Sequence, residues 1–155
     1  MKEIIGVIHA RGGSVRVPKK NIRLLAGKPL INWTIESALK SKCSRVIVST
    51  DSKEIKEISL KCGADVPFTR PKDISEDVAS ELVTEHAVLF HEKERNTKID
   101  IVITIQPTTP FLKSQDINQC IDLLEKNNAY DSVFTAGKVQ ERPEWMFFID
   151  KETSL

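Results

Sequence analysis

Short runs of β-branched residues alternate with segments of helical periodicity along this chain, and this alternation limits the fold more than any other feature. Three runs have the length and composition of buried strands, at 4–8, 45–50 and 99–105. Continuous apolar runs of this kind are typical of parallel strands that helices cover on both faces. The alternation therefore predicts a three-layer α/β/α sandwich with a mostly parallel sheet and right-handed crossovers.

The segments between these runs carry apolar residues at helical spacing. They predict four helices: one over about 30–42, one between an N-cap at Asp51-Ser52 and a C-cap at Gly63, and two that begin at N-caps Ser80 and Ser114. Short additional strands are predicted at 64–68 and 132–135. In a sheet of this kind, ligands bind outside the carboxyl ends of the strands.

Composition predicts one globular domain over residues 1–155. The chain has 155 residues, of which 40% are hydrophobic and 29% are charged, so it can bury a core of ordinary size. It has no run of membrane-spanning length, and Lys2-Glu3 followed by a strand does not resemble a signal peptide, so we expect a cytoplasmic protein. Cys43, Cys62 and Cys120 have no metal-binding spacing and are interpreted as buried or half-buried apolar side chains.

The loop after the first strand concentrates positive charge. Six basic residues and no acid lie between Arg11 and Lys28, although the net charge of the chain is only +1. Glycines 12 and 13 can take positive φ and carry no Cβ, so their backbone N–H groups could approach an anion closely, beside the hydroxyl of Ser14. Arg11 offers a planar fork and Lys20 a mobile point charge. This local charge predicts a phosphate-bearing small molecule rather than a polynucleotide.

The residues of this loop fit neither of two common nucleotide patterns. They match neither Gly-x-x-x-x-Gly-Lys-Ser/Thr nor Gly-x-Gly-x-x-Gly. On the pattern alone, an ordinary solvated loop remains an alternative. Three segments nevertheless follow predicted strands and would converge at one edge of the sheet: 10–21, the region of Arg70, and 106–110.

The same segments carry a family resemblance. Ala10-Arg11-Gly12-Gly13-Ser14-x-Arg16-x-Pro18-x-Lys20-Asn21 resembles the N-terminal signature of the acylneuraminate cytidylyltransferases, the CMP-N-acetylneuraminic acid synthetase family. His9 stands where that family usually carries proline. Two further segments resemble the family: Arg70-Pro71 followed by Asp77-x-Ala79-Ser80, and Gln106-Pro107-Thr108-Thr109-Pro110.

The resemblance implies a Rossmann-like fold of the nucleotide-diphospho-sugar transferase type and a reaction with CTP. In that family the hydroxyl of an acidic nine-carbon keto-sugar, such as an N-acylneuraminate, pseudaminate or legionaminate, attacks the α-phosphorus. The products are the CMP-sugar and pyrophosphate, and Mg²⁺ offsets the phosphate charge. No nucleic acid or membrane partner is implied, and a homodimer is expected.

Residue roles follow from the resemblance alone. Arg11 and Lys20 would be catalytic, holding the phosphates and the leaving pyrophosphate. Gly12, Gly13 and Ser14 would contribute loop geometry and N–H donors, and Ala10 is a further implied substrate contact. The resemblance also implies residues that select cytosine and ribose, namely Asn21, Arg70, Ala79 and Ser80, and it places Gln106 facing the sugar.

Several of these residues also have a structural interpretation. Asn21 could cap a turn, Arg70 could be a surface charge, Ser80 a helix cap, and Gln106 a solvent-facing amide. His86 is predicted to be a packing residue, and the three histidines have no constellation around them.

The chain is shorter than members of this family usually are. No Asp pair matches the family's magnesium ligands, so no metal ligand is assigned, and the domain is expected to be incomplete at its C-terminus. A truncated, non-catalytic nucleotide-binding module is therefore an alternative to the enzyme, and a plain dinucleotide-binding domain is a third. Trp145, Phe147 and Phe148 form a candidate subunit contact.

Overall fold

The computed structural model describes residues 2–14, 16–76, 78–127 and 129–137. The strands are β1 (Ile4–His9), β2 (Leu24–Leu25), β3 (Lys28–Pro29), β4 (Arg45–Ser49) and β5 (Ile101–Ile105). The α-helices are α1 (Leu30–Leu39), α2 (Lys53–Lys61), α3 (Ser80–Arg95) and α4 (Ser114–Lys126), and single 3₁₀ turns lie at Lys20–Ile22 and Lys72–Ile74. None of the helices in these ranges combines the length and the apolar character that a membrane span requires.

The main sheet is parallel and has β1 at its centre. Its strand order is β4-β1-β5, with Ile5 of β1 opposite Arg45 and Ile4 opposite Ile101. Strands β2 and β3 form a separate two-stranded antiparallel ribbon. The chain therefore passes from β1 to β4 on one side and later to β5 on the other side. A crevice opens at such a reversal of strand order, outside the carboxyl ends of the strands.

Helices cover both faces of this sheet, as the alternation predicts. Ile4 and Ile8 of β1 share one core cluster with residues of α1, α2 and α4, whereas Ile5 and Val7 share the other with Ala87 of α3. This division follows from the two-residue period of a strand, which sends alternate side chains to opposite faces. The three-layer α/β/α architecture with a parallel sheet is confirmed.

The predicted strand at 64–68 is wrong. Asp65 alone reaches the sheet edge, where its N–H donates to the Val46 carbonyl at 2.8 Å and its carbonyl accepts from the Val48 N–H at 2.8 Å. The next inward donor would be the nitrogen of Pro67, which has no hydrogen. The ladder therefore stops after one bridge.

The predicted strand at 132–135 is also wrong, because this segment has no regular structure. Val133 and Phe134 lie along β5, where they line a surface groove with Val102 and Ile105, but they make no ladder bonds with it. Apolar composition can predict that a segment adheres to the sheet, but a strand also needs backbone pairing in register.

Two predicted helix caps are wrong and one is confirmed. Ser52 caps α2, where its hydroxyl accepts from the Ile55 N–H at 3.4 Å. Ser80 and Ser114 are instead the first residues of α3 and α4. At α4 the N-cap is Lys113, and the Asp116 carboxylate three residues later accepts from the Lys113 N–H at 2.9 Å. This bond satisfies a backbone donor that the helix itself leaves unpaired.

Other local predictions agree with the structure. Gly63 follows α2 with φ of +96°, the left-handed conformation that closes a helix. Cys43, Cys62 and Cys120 are half-buried free thiols. His86 packs edge-on against Phe68, with 4.6 Å between the ring centroids. Trp145, Phe147 and Phe148 lie outside the described residues.

Candidate functional site

A crevice of about 280 Å³ opens at the carboxyl edge of the sheet. Most of the predicted site residues meet there, namely Arg11, Ser14, Lys20, Asn21, Arg70, Ser80 and Gln106. The other lining residues are His9, Glu76, Val78, Val83, Pro107 and Thr108. Three cations thus face one acid among the described lining residues, a balance that favours an anionic ligand.

Four predicted site residues do not line the crevice: Ala10, Gly12, Gly13 and Ala79. Ala10 is buried beneath the loop, and its N–H donates to the Ser49 carbonyl at 3.0 Å. Ala79 is the N-cap of α3, beside Ser80. Ala10 therefore supports the loop from below, whereas Ala79 is exposed at the start of α3.

Gly12 is needed for a close approach of two chain segments rather than for a left-handed conformation. The left-handed glycines among the described residues are Gly27 and Gly63. A Cβ on Gly12 would lie 2.9 Å from the Cβ of Ser52, which is closer than such atoms approach. The Gly12 N–H donates to Asp51 Oδ1 at 2.7 Å. Asp51 thus holds the loop, and this amide is already bonded before any ligand arrives.

Asn21 fixes the two ends of the loop to each other. Its side chain is 5% exposed, and Nδ2 donates to the Arg11 carbonyl at 2.9 Å. This partly buried bond spans ten residues and keeps Arg11 and Lys20 close to one crevice. The interpretation of Asn21 as a structural anchor is therefore supported, while the side chain also lines the crevice.

The adjacent lysines of the loop diverge. Lys19 adopts a left-handed φ of +53°, and its Nζ lies 2.9 Å from Glu54 Oε2 on the outer surface. Lys20 begins the following 3₁₀ turn and lines the crevice. The backbone reversal at Lys19 separates the two ammonium groups.

Arg70 is a buried cation, so its interpretation as a surface charge is wrong. Its side chain is 5% exposed, Nε donates to Ser49 Oγ at 3.1 Å, and a terminal nitrogen donates to the Ser49 carbonyl. Burial lowers the pKa of Arg70, and nearby Arg11 lowers it further, against the opposing effect of Asp51. No carboxylate of the described residues forms a salt bridge with it. Its positive charge is therefore available to a ligand.

His9 is a lining residue that the sequence interpretation missed. Its Nε2 lies 3.0 Å from Thr84 Oγ1, which lies 3.2 Å from Thr104 Oγ1, so a constellation does surround it. Burial lowers the pKa of His9 to about 4, helped by Arg70 and opposed by Glu81. The ring is therefore neutral at neutral pH. The available signal was its position, since the strand period places His9 on the α3 face directly before the loop.

Gln106 lies where β5 ends, at the third wall of the crevice. It is exposed, and its carbonyl accepts from Thr109 Oγ1 at 2.7 Å, which tightens the turn that follows the strand. The Thr108 hydroxyl donates to Gln106 Oε1 at 3.4 Å. These contacts restrain the amide at the mouth of the crevice.

The described residues do not fit a metal centre. They contain no group of three or more His, Cys, Asp or Glu side chains arranged to hold an ion. Glu76 is the single acid among the described lining residues, so Mg²⁺ there would depend on substrate phosphates for most of its ligands. Magnesium stays an expectation from the family, and we assign it no residue.

Comparison with known proteins gives relatives along most of the chain. It is 39% identical over 153 residues to a CMP-N,N'-diacetyllegionaminic acid synthase of Legionella pneumophila, covering 98% of this chain and 65% of that protein. It is 33% identical over 150 residues to a pseudaminic acid cytidylyltransferase of Campylobacter jejuni, covering 96% and 64%. The chain thus spans about two thirds of the length of these curated relatives.

A solved structure shows the same fold. It is a CMP:2-keto-3-deoxy-manno-octonic acid synthetase in complex with CTP, which matches with a TM-score of 0.66 and 26% identity over 83% of this chain and 49% of that one. The family model described as cytidylyltransferase matches residues 5–147, which include every predicted site residue. This chain therefore belongs to the cytidylyltransferase family.

Proposed function

We propose that this chain forms the nucleotide-binding part of an enzyme that activates a sialic-acid-like keto-sugar acid with CTP. The products are the CMP-sugar and pyrophosphate. The observation that carries this proposal is the crevice at the carboxyl edge, where Arg11, Lys20 and Arg70 converge in a chain of this family. Relatives named for legionaminic and pseudaminic acids support the sugar class.

The phosphate end of the ligand is assigned to the loop after β1. Arg11 and Lys20 provide charged donors, and Ser14 adds a hydroxyl from the same wall. The Gly12 amide is bonded to Asp51, so Gly12 contributes the shape of the loop rather than a first donor. Gly13 is exposed and leaves the loop open to solvent at that point.

The nucleoside end is assigned to the wall formed by Arg70 and the start of α3. Ser49 holds the Arg70 guanidinium through two acceptors, which leaves its other N–H groups for a ligand acceptor such as a base carbonyl. Ser80 offers a hydroxyl, and Ala79 places the backbone beside it. Asn21 acts chiefly by holding the loop and can add its amide oxygen.

The proposed reaction is a phosphoryl transfer without a covalent enzyme intermediate. The hydroxyl oxygen of the sugar acid, near Gln106, forms a bond to the α-phosphorus of CTP, while the bond from that phosphorus to the bridging oxygen of pyrophosphate breaks. The hydroxyl proton leaves to solvent, and pyrophosphate takes the bonding electron pair. Arg11 and Lys20 stabilise the negative charge that builds on the phosphate oxygens.

A second candidate is a nucleotide-binding module that does not catalyse the reaction. One observation favours it: the described residues supply no metal-binding cluster. Both candidates share the crevice and the preference for CTP. They differ only in turnover.

Two measurements test these candidates. Calorimetry with CTP, ATP and NAD is expected to show tightest binding of CTP, and tighter binding of NAD would reject both. Pyrophosphate release with CTP, Mg²⁺ and a panel of acidic nine-carbon sugars is expected for the enzyme. CTP binding without pyrophosphate release would support the non-catalytic module.

Dimerisation and a cytoplasmic location stay predictions. Light scattering of the purified chain measures the first directly, with twice the chain mass of 17.5 kDa as the expected result. A monomer at all accessible concentrations would contradict it.

A further inference from the structure

His9 forms one end of a hydrogen-bonded chain that runs from the crevice through α3 to β5. Nε2 of His9 contacts Thr84 Oγ1 at 3.0 Å, and Thr84 Oγ1 contacts Thr104 Oγ1 at 3.2 Å. The three residues come from β1, α3 and β5 respectively. The Thr84 hydroxyl, which is itself bonded to Thr104, thus restrains the imidazole through Nε2, and His9 also lines the crevice.

The crevice lining divides by chemistry. Arg11, Lys20 and Arg70 are cationic, whereas His9, Val78 and Val83 are uncharged. A nucleobase has apolar faces and polar edges, so it fits a wall of apolar side chains with a few fixed polar groups. A polyphosphate requires the cationic part instead. The neutral imidazole is therefore one of the lining groups that suit a base rather than a phosphate.

We propose that His9 is a ligand-positioning residue that contacts the nucleobase of the bound nucleotide through Nδ1, with Thr84 and Thr104 fixing the ring. This inference rests on the proposed function, since it takes the ligand to be a cytidine nucleotide. Nδ1 is the ring nitrogen that no described residue engages.

The two threonine hydroxyls can support either neutral tautomer of the His9 imidazole, so Nδ1 can be a donor or an acceptor. When Thr84 donates to Thr104, it accepts from His9 Nε2–H, and Nδ1 is then an acceptor for an exocyclic amine. When Thr104 donates to Thr84, Thr84 donates to Nε2, and Nδ1–H is then a donor for a carbonyl. The cytosine edge carries both groups, and the ring remains neutral in either state.

The test compares CTP with inorganic tripolyphosphate, which has the phosphates and no base. Dissociation constants are measured by calorimetry for the full chain and for His9→Ala, Thr84→Val and Thr84→Ser. We expect His9→Ala to weaken CTP about 3- to 10-fold, as for one lost neutral hydrogen bond, and to change tripolyphosphate less than about 2-fold. Thr84→Val should weaken CTP in the same way, and Thr84→Ser, which keeps the hydroxyl, should restore it.

Nitrogen NMR of the unaltered chain gives a readout that a purely structural role would not change. The imidazole signals of His9, identified by their loss in His9→Gln, are expected to shift on saturation with CTP and to stay in place with tripolyphosphate. Equal weakening of both ligands in His9→Ala, or unmoved His9 signals with CTP bound, would overturn the inference and leave the proposed function intact. Failure of the unaltered chain to bind CTP would overturn both.

Discussion

The two adjacent lysines of the loop offer a matched test of the crevice as the phosphate site. Lys20 lines the crevice, whereas Lys19 points outward and pairs with Glu54 at 2.9 Å. Replacing either lysine with alanine removes the same charge and the same stem. The net charge and composition of the two variants are identical, so any difference between them reports position alone.

The expected effect follows from the surroundings of Lys20. A pair of unit charges at about 4 Å interacts with about 1 kcal/mol in water and about 4 kcal/mol near a protein surface. Lys20 is half-buried, so its bond to a phosphate should lie between these limits, at about 1.5–3 kcal/mol. We therefore expect Lys20→Ala to raise the Kd for CTP about 10- to 160-fold.

The control should behave differently. The Lys19 and Glu54 side chains are 70% and 53% exposed, and such surface pairs contribute at most about 1 kcal/mol to stability. Lys19→Ala should thus change the Kd for CTP less than about 2-fold. Both constants are measured by calorimetry at low and high salt, and the difference between the variants should shrink as salt screens the charge.

Two results would refute this reasoning. Equal losses of affinity in both variants would mean that the overall positive field of the loop, and not the crevice, attracts the nucleotide. Unchanged affinity in Lys20→Ala, with a folded protein by circular dichroism, would remove the loop after β1 from the phosphate site.

Three further predictions concern the loop and its neighbours. Gly12→Ala should lower the free energy of unfolding by about 1–3 kcal/mol in urea titrations, because its Cβ would overlap the turn after β4. The control is Gly13→Ala, whose Cβ would have no described atom within 4 Å, and it should change the free energy of unfolding by less than about 0.5 kcal/mol. Asn21→Ala should cost about 1 kcal/mol of stability and weaken CTP several-fold, because the 2.9 Å bond to the Arg11 carbonyl is lost; unaltered values in both assays would show that the bond is dispensable. The pKa of His9 falls from 6.5 to about 4 on folding, so the unfolded chain takes up the proton at a higher pH than the folded chain does. The free energy of unfolding should therefore decline by at most about 3 kcal/mol as pH falls from 6.5 to about 4. A His9→Gln variant whose stability has the same pH slope would contradict this prediction.

The sequence determined the architecture. The β-branched runs of β1 and β4 can be buried on both faces only in a parallel sheet with helices above and below, and the helical periods between the strands supplied those helices. It also determined which segments meet, since loops that follow parallel strands emerge at one edge. The resemblance of the Arg11 loop, the Arg70 segment and the Gln106 turn to one family indicated the same ligand.

The tertiary structure decided what each residue does within those segments. Gly12 looked like an anion donor, yet its N–H is bonded to Asp51, thirty-nine residues away, and its missing Cβ makes room for Ser52. Asn21 lines the crevice, yet its Nδ2 is already bonded to the Arg11 carbonyl. Partners that are distant in sequence cannot be identified from local pattern.

The strand ends and the histidine show the same limit. The segment at 64–68 has strand composition, but pairing stops at the bridge because Pro67 lacks the next hydrogen. The sequence placed His9 at the end of β1 directly before the loop, but its hydroxyl partners come from α3 and β5. Local residue order dictates which elements form, because propensity and periodicity act over a few residues; burial, charge state and bonding depend on atoms that only the folded chain brings together.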